Sequence, residues 1–146
     1  MKIRIEQIKD GEEEVILRYR EKTREIEEIL SYLNKRSKAI LCKKDGEDVL
    51  VSPHDVIYLE SVDGTTYAYT ETDVYQAGLS LAGAEAEFSG AGFFRCSKSM
   101  VINVYHVERL KSEAGNRIDA MMTGGEHVII SRRYAKALRK LLRGNE

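Results

Sequence analysis

The sequence predicts a mostly β protein of the α+β class, with many short antiparallel strands and a helix near each end. Two observations carry this prediction. Short stretches of β-branched and aromatic residues recur along the chain, separated by Asp-Gly, Gly-Asn and Gly-Gly turn signals. Two other segments, from residue 21 to 35 and from 131 to 143, repeat apolar residues every three or four positions, which is typical of amphipathic helices.

Residues 1–38 are predicted to form a β-hairpin followed by a helix, as a candidate dimerisation layer. Residues 2–6 alternate charged and apolar side chains, Asp10-Gly11 marks a turn, and residues 15–19 form a second short strand. The helix has one apolar stripe at positions i, i+3, i+4 and i+7. This stripe consists of Ile26, Ile29, Leu30 and Leu33. It packs either on the protein's own sheet or on a second subunit.

Residues 39–146 are predicted to form one β-rich domain. Asp45-Gly46 and Asp63-Gly64 each close a hairpin, because such turns require positive φ angles. Ser80 caps a short Ala- and Glu-rich helix that ends at Phe88, and Ser131 precedes a basic C-terminal helix. The strands are predicted at residues 39–43, 48–51, 56–61, 65–70, 74–77, 93–96, 100–103, 107–111, 117–122 and 127–130.

Charge is distributed unevenly along the chain, although the net charge is only −1. Residues 1–90 contain 12 Lys and Arg against 19 Asp and Glu, a balance of −7, whereas residues 91–146 contain 11 against 5, a balance of +6. A basic segment of this kind suits an anionic partner, or it is a solvated helix face that complements the helix dipole. The chain has no signal peptide and no membrane-length apolar run, which predicts a cytoplasmic protein.

The sequence offers little support for an enzyme. His54, His106 and His127 lack metal-ligand spacing, and no phosphate-binding glycine loop is present. Cys96 and His106 carry no flanking signature of a nucleophile and its base, and Cys42 and Cys96 are expected to be reduced thiols. We therefore expect no catalytic residues, no metal and no cofactor.

The segment FFRCSKSMVIN, residues 93–103, stands out as a candidate binding site. Arg95, Ser97, Lys98 and Ser99 lie in and beside a short connection between two apolar strands. Lys and Arg can bond phosphate or the acceptor atoms of guanine, and short hydroxyls donate to phosphate oxygens. The motif suits nucleic acid, although surface loops of this composition are common.

Three segments, taken in order, resemble the LytTR family of DNA-binding domains. They are IYLES at residues 57–61, FFRCSKSMVIN at 93–103, and ISRRY at 130–134 before a basic helix. The resemblance covers roughly residues 39–143. It implies an elongated fold of about ten strands in stacked antiparallel sheets. It also implies a bacterial transcription regulator that binds double-stranded DNA sequence-specifically, with loops inserted into successive major grooves at direct-repeat promoter sites.

Carried over position by position, the resemblance implies three DNA-contacting connections. The first is the Lys98 loop, in which Ser97 replaces the His that is common in the family, so that its side chain reaches less far. Arg95 and Asn103 either contact DNA or hold the backbone around this loop. The implied DNA-binding residues are Arg95, Ser97, Lys98, Ser99 and Asn103 in the first connection, Arg132 and Arg133 in the second, and Gly64, Thr65, Thr66 and Tyr67 in the third.

Many family members carry a receiver domain before the DNA-binding part, and residues 1–38 are too short for one. We therefore expect a stand-alone regulator that acts as a homodimer or is sequestered by a protein partner. The alternative is a regulatory module that does not bind DNA and contacts a protein partner through a sheet edge or the N-terminal helix. A continuous positively charged face would favour DNA over this alternative.

Overall fold

Ten strands, three α-helices and four short 3-10 helices make up the secondary structure of the described part of the chain. The computed structural model describes residues 1–35 and 38–143. The strands are β1 Ile40–Lys44, β2 Glu47–Val51, β3 Tyr58–Val62, β4 Thr65–Tyr69, β5 Val74–Ala77, β6 Phe93–Ser97, β7 Met100–Asn103, β8 Val107–Glu113, β9 Arg117–Met122 and β10 His127–Ile130. The helices are α1 Arg24–Lys35, α2 Leu81–Phe88 and α3 Arg132–Arg143.

The strands form two antiparallel sheets. The large sheet has seven strands in the order β2-β1-β5-β4-β3-β7-β6, and the small sheet has three in the order β10-β9-β8. Strands β3 and β7 are neighbours although β4, β5, α2 and β6 separate them along the chain, so the β3–β4 and β6–β7 hairpins lie side by side. The predicted mostly β fold with stacked antiparallel sheets is confirmed.

Each face of the large sheet covers a separate apolar core. One core lies between the sheet and α2, and includes Leu59, Ala68 and Phe88. The other lies between the sheet, the small sheet and α3, and includes Tyr58 and Ile102. The ring of Tyr58 stacks on Tyr69 with centroids 4.4 Å apart, and burial raises the pKa of Tyr58 to about 12. Because residues alternate between two buried faces, strands β3 and β7 are held from both sides.

The two Asp-Gly hairpins of the domain form as predicted. Asp45 and Gly46 have φ angles of 52° and 79°, and Asp63 and Gly64 have 50° and 80°. Positive φ at both positions is the geometry of a two-residue turn whose twist matches that of its strands. The turns set the registers of β1 on β2 and of β3 on β4.

The N-terminal strands predicted at residues 2–6 and 15–19 are wrong, because the structure has no strand in residues 1–23. The chain does bend near Gly11, whose φ is 99°. However, Ile3, Ile5, Val15 and Ile16 are all highly exposed and pack on no sheet of the chain. A lone two-stranded hairpin is marginal in water without such packing. We call residues 1–20 the N-terminal arm.

Helix α1 packs against its own chain through part of the predicted stripe. Ile26 is 6% exposed, Ile29 and Leu30 are half-buried, and Leu33 is 37% exposed. The guanidinium of Arg24 donates to a carbonyl oxygen near the end of α3, that of Leu141, at 3.0 Å. No helix in residues 1–35 and 38–143 is long and apolar enough to cross a membrane.

Two predicted boundaries fall partly on residues outside the description. These are the joint between the N-terminal layer and the domain at residues 36–38, and the last residues of the domain, 144–146. Within α3, Ala135 and Leu138 are buried as predicted, whereas Leu142, predicted to face the core, is 43% exposed because it lies in the last turn of the helix.

Candidate nucleic-acid interface

The β6–β7 turn presents Lys98 on a backbone that is held by Arg95. The Arg95 guanidinium donates to the carbonyl oxygens of Ser97 at 2.8 Å and of Lys98 at 2.6 Å. The backbone N–H of Ser99 donates to the Ser97 hydroxyl at 3.3 Å. Lys98 and Ser99 are exposed, while Arg95 and Ser97 are half-buried. Arg95 therefore orders the turn, and Lys98 and Ser99 are the side chains that remain accessible.

Asn103 does not belong to an exposed surface, which corrects its inclusion among the DNA-contacting residues. Its side chain is 1% exposed and donates to the carbonyl oxygens of Pro53 at 3.3 Å and Val56 at 3.0 Å. Its amide oxygen accepts from the backbone N–H of Tyr105 at 3.0 Å. A buried amide bonded on both sides holds the end of β7 to the segment before β3. Asn103 thus fills the backbone-fixing role that was the alternative for this position.

The β3–β4 turn lies beside the β6–β7 turn. The Ser61 backbone N–H donates to the Ser99 carbonyl at 2.8 Å, which joins the two hairpins at their turn ends. Gly64 is exposed, and Thr65 and Tyr67 are half-buried. Thr66 is 7% exposed, because even-numbered residues of β4 face the core under α2. Thr66 is therefore less accessible than the resemblance implied.

The start of α3 is attached to the same end of the large sheet. The Ser131 backbone N–H donates to the Cys96 carbonyl at 2.9 Å, two residues before Lys98 along the chain. Arg132 and Arg133 follow directly and are exposed, and the Arg133 guanidinium lies 5.4 Å from the Tyr134 ring centroid. Among the described residues, neither arginine takes part in an ion pair with an acid.

A shallow hollow of about 580 Å³ connects two of the three predicted segments. Arg95 and Lys98 line one side, and Gly64, Thr65 and Thr66 line another. The third side consists of residues that the sequence reasoning missed, namely Gln76 and residues 78–82 at the start of α2. The only sequence signal there was Ser80, predicted as the helix cap. Its hydroxyl accepts from the backbone N–H of Gly83 at 3.0 Å.

The cysteine and the histidines considered for catalysis are buried or make other contacts. Cys96 is fully buried, and desolvation raises the pKa of its thiol to about 12, so it is protonated at neutral pH. His106 contacts the Thr123 hydroxyl at 3.0 Å and the His54 carbonyl at 2.7 Å, and His127 contacts Asp119 at 2.9 Å. Across the described ranges, no three His, Cys, Asp or Glu side chains are grouped to hold a metal ion.

Comparison with known proteins gives consistent matches. The family model described as LytTr DNA-binding domain matches residues 46–143. The sensory transduction protein LytT of Bacillus anthracis is 33% identical over 95 residues, which cover 65% of this chain and 39% of that protein. An uncharacterized HTH-type transcriptional regulator of Staphylococcus aureus is 28% identical over 98 residues, 67% of this chain and 66% of that protein. The chain thus spans about two fifths of the LytT length.

A solved structure supports the same assignment. It is a LytTr DNA-binding domain from Bacillus cereus, which superposes with a TM-score of 0.67 at 30% identity. The match covers 72% of this chain and 97% of that one. Since the family model covers more than half of the sequence and the fold agrees, the chain belongs to the LytTr DNA-binding domain family.

Proposed function

We propose that the protein is a transcription regulator that binds double-stranded DNA sequence-specifically through three neighbouring connections. These are the β3–β4 turn, the β6–β7 turn and the start of α3. The observation that carries this proposal is a pair of backbone hydrogen bonds, Ser61 to Ser99 and Ser131 to Cys96, which tie all three connections to one end of the large sheet. The relatives named as a sensory transduction protein and as a transcriptional regulator support the same function.

The spacing of these connections suits a duplex. Strands β3 and β6 are two positions apart in the sheet, which corresponds to about 10 Å. The start of α3 is joined to β6 by the hydrogen bond from Ser131 to Cys96, so it continues the row past the β6–β7 turn. In this proposal, side chains at the two ends of the row enter successive major grooves.

In this proposal the basic side chains have two different roles, contact with DNA and support of the turn backbone. Lys98, Arg132 and Arg133 are exposed, and none belongs to an ion pair among the described residues, so their charges are available to phosphates and base edges. Arg95 donates hydrogen bonds from two of its N–H groups to the carbonyl oxygens of the turn, and it therefore acts as a positioning residue. Ser99 and Thr65 add hydroxyl donors beside these cations.

The test first identifies the DNA sequence that the chain prefers, by selection from a random pool of duplexes. We expect Lys98→Ala and Arg133→Ala each to weaken binding to this duplex by about 1–3 kcal/mol if they read bases. The matched control is Lys111→Ala, which removes an exposed cation from β8, the strand of the small sheet that is farthest from β10. Affinity is measured by fluorescence anisotropy on the selected duplex and on a scrambled one.

The loss of affinity on each of the two duplexes distinguishes base recognition from phosphate contact. A loss on the selected duplex alone assigns base recognition, and an equal loss on both duplexes makes the residue a phosphate contact. If Lys98→Ala and Arg133→Ala bind both duplexes as well as the Lys111→Ala control does, the proposal is wrong. That result would favour a regulatory module that binds a protein instead of DNA.

A further inference from the structure

The hollow beside the β3–β4 and β6–β7 turns has one row of residues from three strands as its floor. Ser61 of β3 pairs with Thr66 of β4, which pairs with Ala77 of β5, so the three lie side by side on the face that carries α2. In the next row toward the centre of the sheet, Leu59 and Ala68 are covered by α2. The hollow therefore opens where α2 begins, between this helix and the two turns.

Thr66 has a hydroxyl group without a hydrogen-bond partner, although the residue is only 7% exposed. The hydroxyl makes no hydrogen bond to another described residue. Among the described residues, no completely enclosed side-chain oxygen or nitrogen lacks a partner, so this hydroxyl is accessible from the hollow that Thr66 lines. A polar group in a largely buried position costs free energy when it stays unpaired. The floor of the hollow thus points to a ligand that bonds to this hydroxyl.

The start of α2 adds backbone donors to the hollow. Ser80 accepts from the N–H groups of Gly83 and Ala84, through its hydroxyl at 3.0 Å and its carbonyl oxygen at 2.9 Å. The first two N–H groups of the helix, those of Leu81 and Ala82, have no acceptor among the described residues. Both residues line the hollow. Free N–H groups at the positive end of the helix dipole favour an anion there.

The charged side chains around the hollow all have the same sign. Arg95 and Lys98 line it from the β6–β7 hairpin, and neither belongs to an ion pair among the described residues. No Asp or Glu is among the described residues that line it, although residues 1–90, which supply most of the lining, carry a balance of −7. Arg95 bonds the turn carbonyls through two of its five N–H groups, which leaves three for a ligand. The hollow therefore suits an anion.

We propose that the hollow binds one phosphate group of the DNA backbone, which makes α2 a fourth DNA-contacting element. This inference rests on the proposed function, because the duplex that lies across the turns supplies the phosphate. Thr66 donates its hydroxyl to a phosphate oxygen from the floor, and Leu81 and Ala82 donate their backbone N–H groups. Arg95 and Lys98 contribute positive charge. Hydroxyls, backbone N–H groups and basic side chains are the donors that proteins direct at DNA phosphates.

A free phosphate ion or a small phosphorylated compound presents the same chemistry as a backbone phosphate. The shape of the hollow favours the duplex, because the hollow is shallow and opens beside the exposed Lys98. A pocket for a small ligand encloses most of the surface of that ligand. A backbone phosphate enters a shallow hollow from one side, while the rest of the duplex contacts the turns.

Thr66→Val tests the floor of the hollow. The substitution keeps a side chain of similar shape and removes the hydroxyl. Since this hydroxyl makes no hydrogen bond to another described residue, the melting temperature should not fall. Affinity for the selected duplex should nevertheless drop by roughly three- to tenfold, because a bond to phosphate is lost. Fluorescence anisotropy measures the affinity, and circular dichroism measures the melting temperature.

Ala82→Glu tests the start of α2. A carboxylate in the first turn should stabilise the helix, but it should repel a phosphate and weaken duplex binding by roughly tenfold. The matched control is Ala86→Glu, which adds the same charge one turn later, at an exposed residue that does not line the hollow. The control should change the affinity by less than about twofold, because an exposed charge away from the contact is screened.

A duplex with one neutral backbone position identifies the phosphate. Each duplex of a series carries a methylphosphonate, which lacks the negative charge, at a different position. At one position per bound copy of the chain, the penalty of Ala82→Glu should fall to that of Ala86→Glu, because no charge remains to be repelled. At the same position Thr66→Val should add little to the cost of the methylphosphonate, since both changes remove the same contact.

Four outcomes would overturn the proposal. Equal duplex affinity of Thr66→Val, Ala82→Glu and Ala86→Glu would exclude the hollow, while substitutions at the turns that still weaken binding would leave the proposed function intact. Penalties that are the same at every methylphosphonate position would exclude a backbone phosphate. Inorganic phosphate that shifts the NMR signals of the Leu81 and Ala82 N–H groups, with unchanged duplex affinity in Ala82→Glu, would assign a small phosphorylated ligand. A wild-type chain that binds no duplex would contradict the proposed function, and this inference with it.

Discussion

Two regions of the molecule share one sequence pattern and fold differently. The β3–β4 hairpin and the N-terminal arm both consist of alternating apolar segments around an Asp-Gly pair. In the hairpin, Asp63 and Gly64 both have positive φ, and five residue pairs align across the strands. In the arm, Gly11 alone has positive φ, Asp10 does not, and no strand forms.

The difference lies in what each segment can bury. Leu59 and Ala68 of the hairpin are fully buried beneath α2, whereas Ile3 and Ile5 of the arm are 82% and 91% exposed. The entropy lost in ordering a strand must be offset by packing, since the turn alone contributes little. A turn signal therefore predicts where the chain reverses, and burial decides whether strands follow.

The largest expected effect is the difference in unfolding free energy when one apolar side chain is truncated in the β3–β4 hairpin or in the N-terminal arm. Leu59→Ala should lower the free energy of unfolding by about 2–5 kcal/mol, because it empties a fully buried position. Ile5→Ala should change it by less than about 0.5 kcal/mol, because that side chain is almost fully exposed. Urea denaturation followed by circular dichroism measures both. A cost for Ile5→Ala near that for Leu59→Ala would mean that the arm packs on its own domain.

A smaller effect is expected from the turns themselves. Gly64→Ala should cost about 1–2 kcal/mol, because its φ of 80° is unfavourable for a residue with a Cβ atom, although no atom lies within 4 Å of that Cβ. Gly11→Ala has equally open surroundings and a φ of 99°, but its turn holds no ladder together. We expect it to cost less than about 0.5 kcal/mol, because no strand pairing depends on this turn. Equal costs at both glycines would contradict the comparison.

The smallest effect concerns thiol reactivity and pH. Cys96 is buried with its pKa raised to about 12 from an ordinary 9.0, so the unfolded chain loses this proton at a lower pH than the folded one. Stability should therefore decline as pH rises from 9 toward 12. At pH 8, Cys96 should react with a thiol reagent only as fast as the chain unfolds, whereas Ile5→Cys should react at once. Rapid labelling of Cys96 in the native chain would show that β6 opens locally.

The domain was predictable from sequence because its local signals agree with its packing. Turn pairs, alternation and the Ser80 cap located the ten strands and α2 within a few residues. The strands of the arm were mispredicted because alternation alone does not show whether any part of the fold covers the apolar side chains. Asn103 was predicted as a DNA contact from its position in the motif. The motif does not reveal that the side chain makes all three of its hydrogen bonds inside the fold.

The candidate interface was predictable only in part. The motifs around Lys98 and Arg133 gave the segments, but their proximity depends on β3 pairing with β7 and on Ser131 bonding to Cys96. Such long-range pairings leave no signal in a local pattern. The part of the hollow formed by Gln76 and the start of α2 was missed for the same reason.

The most direct test of the central proposal is the salt dependence of DNA binding. Log affinity of the wild-type chain for its selected duplex should fall with log salt concentration at a slope of about −4 to −5. In the triple variant Lys98→Ala/Arg132→Ala/Arg133→Ala, the slope should become shallower by about three, because three counterion-releasing contacts are removed. An unchanged slope and affinity in this variant would show that the duplex does not lie across these connections.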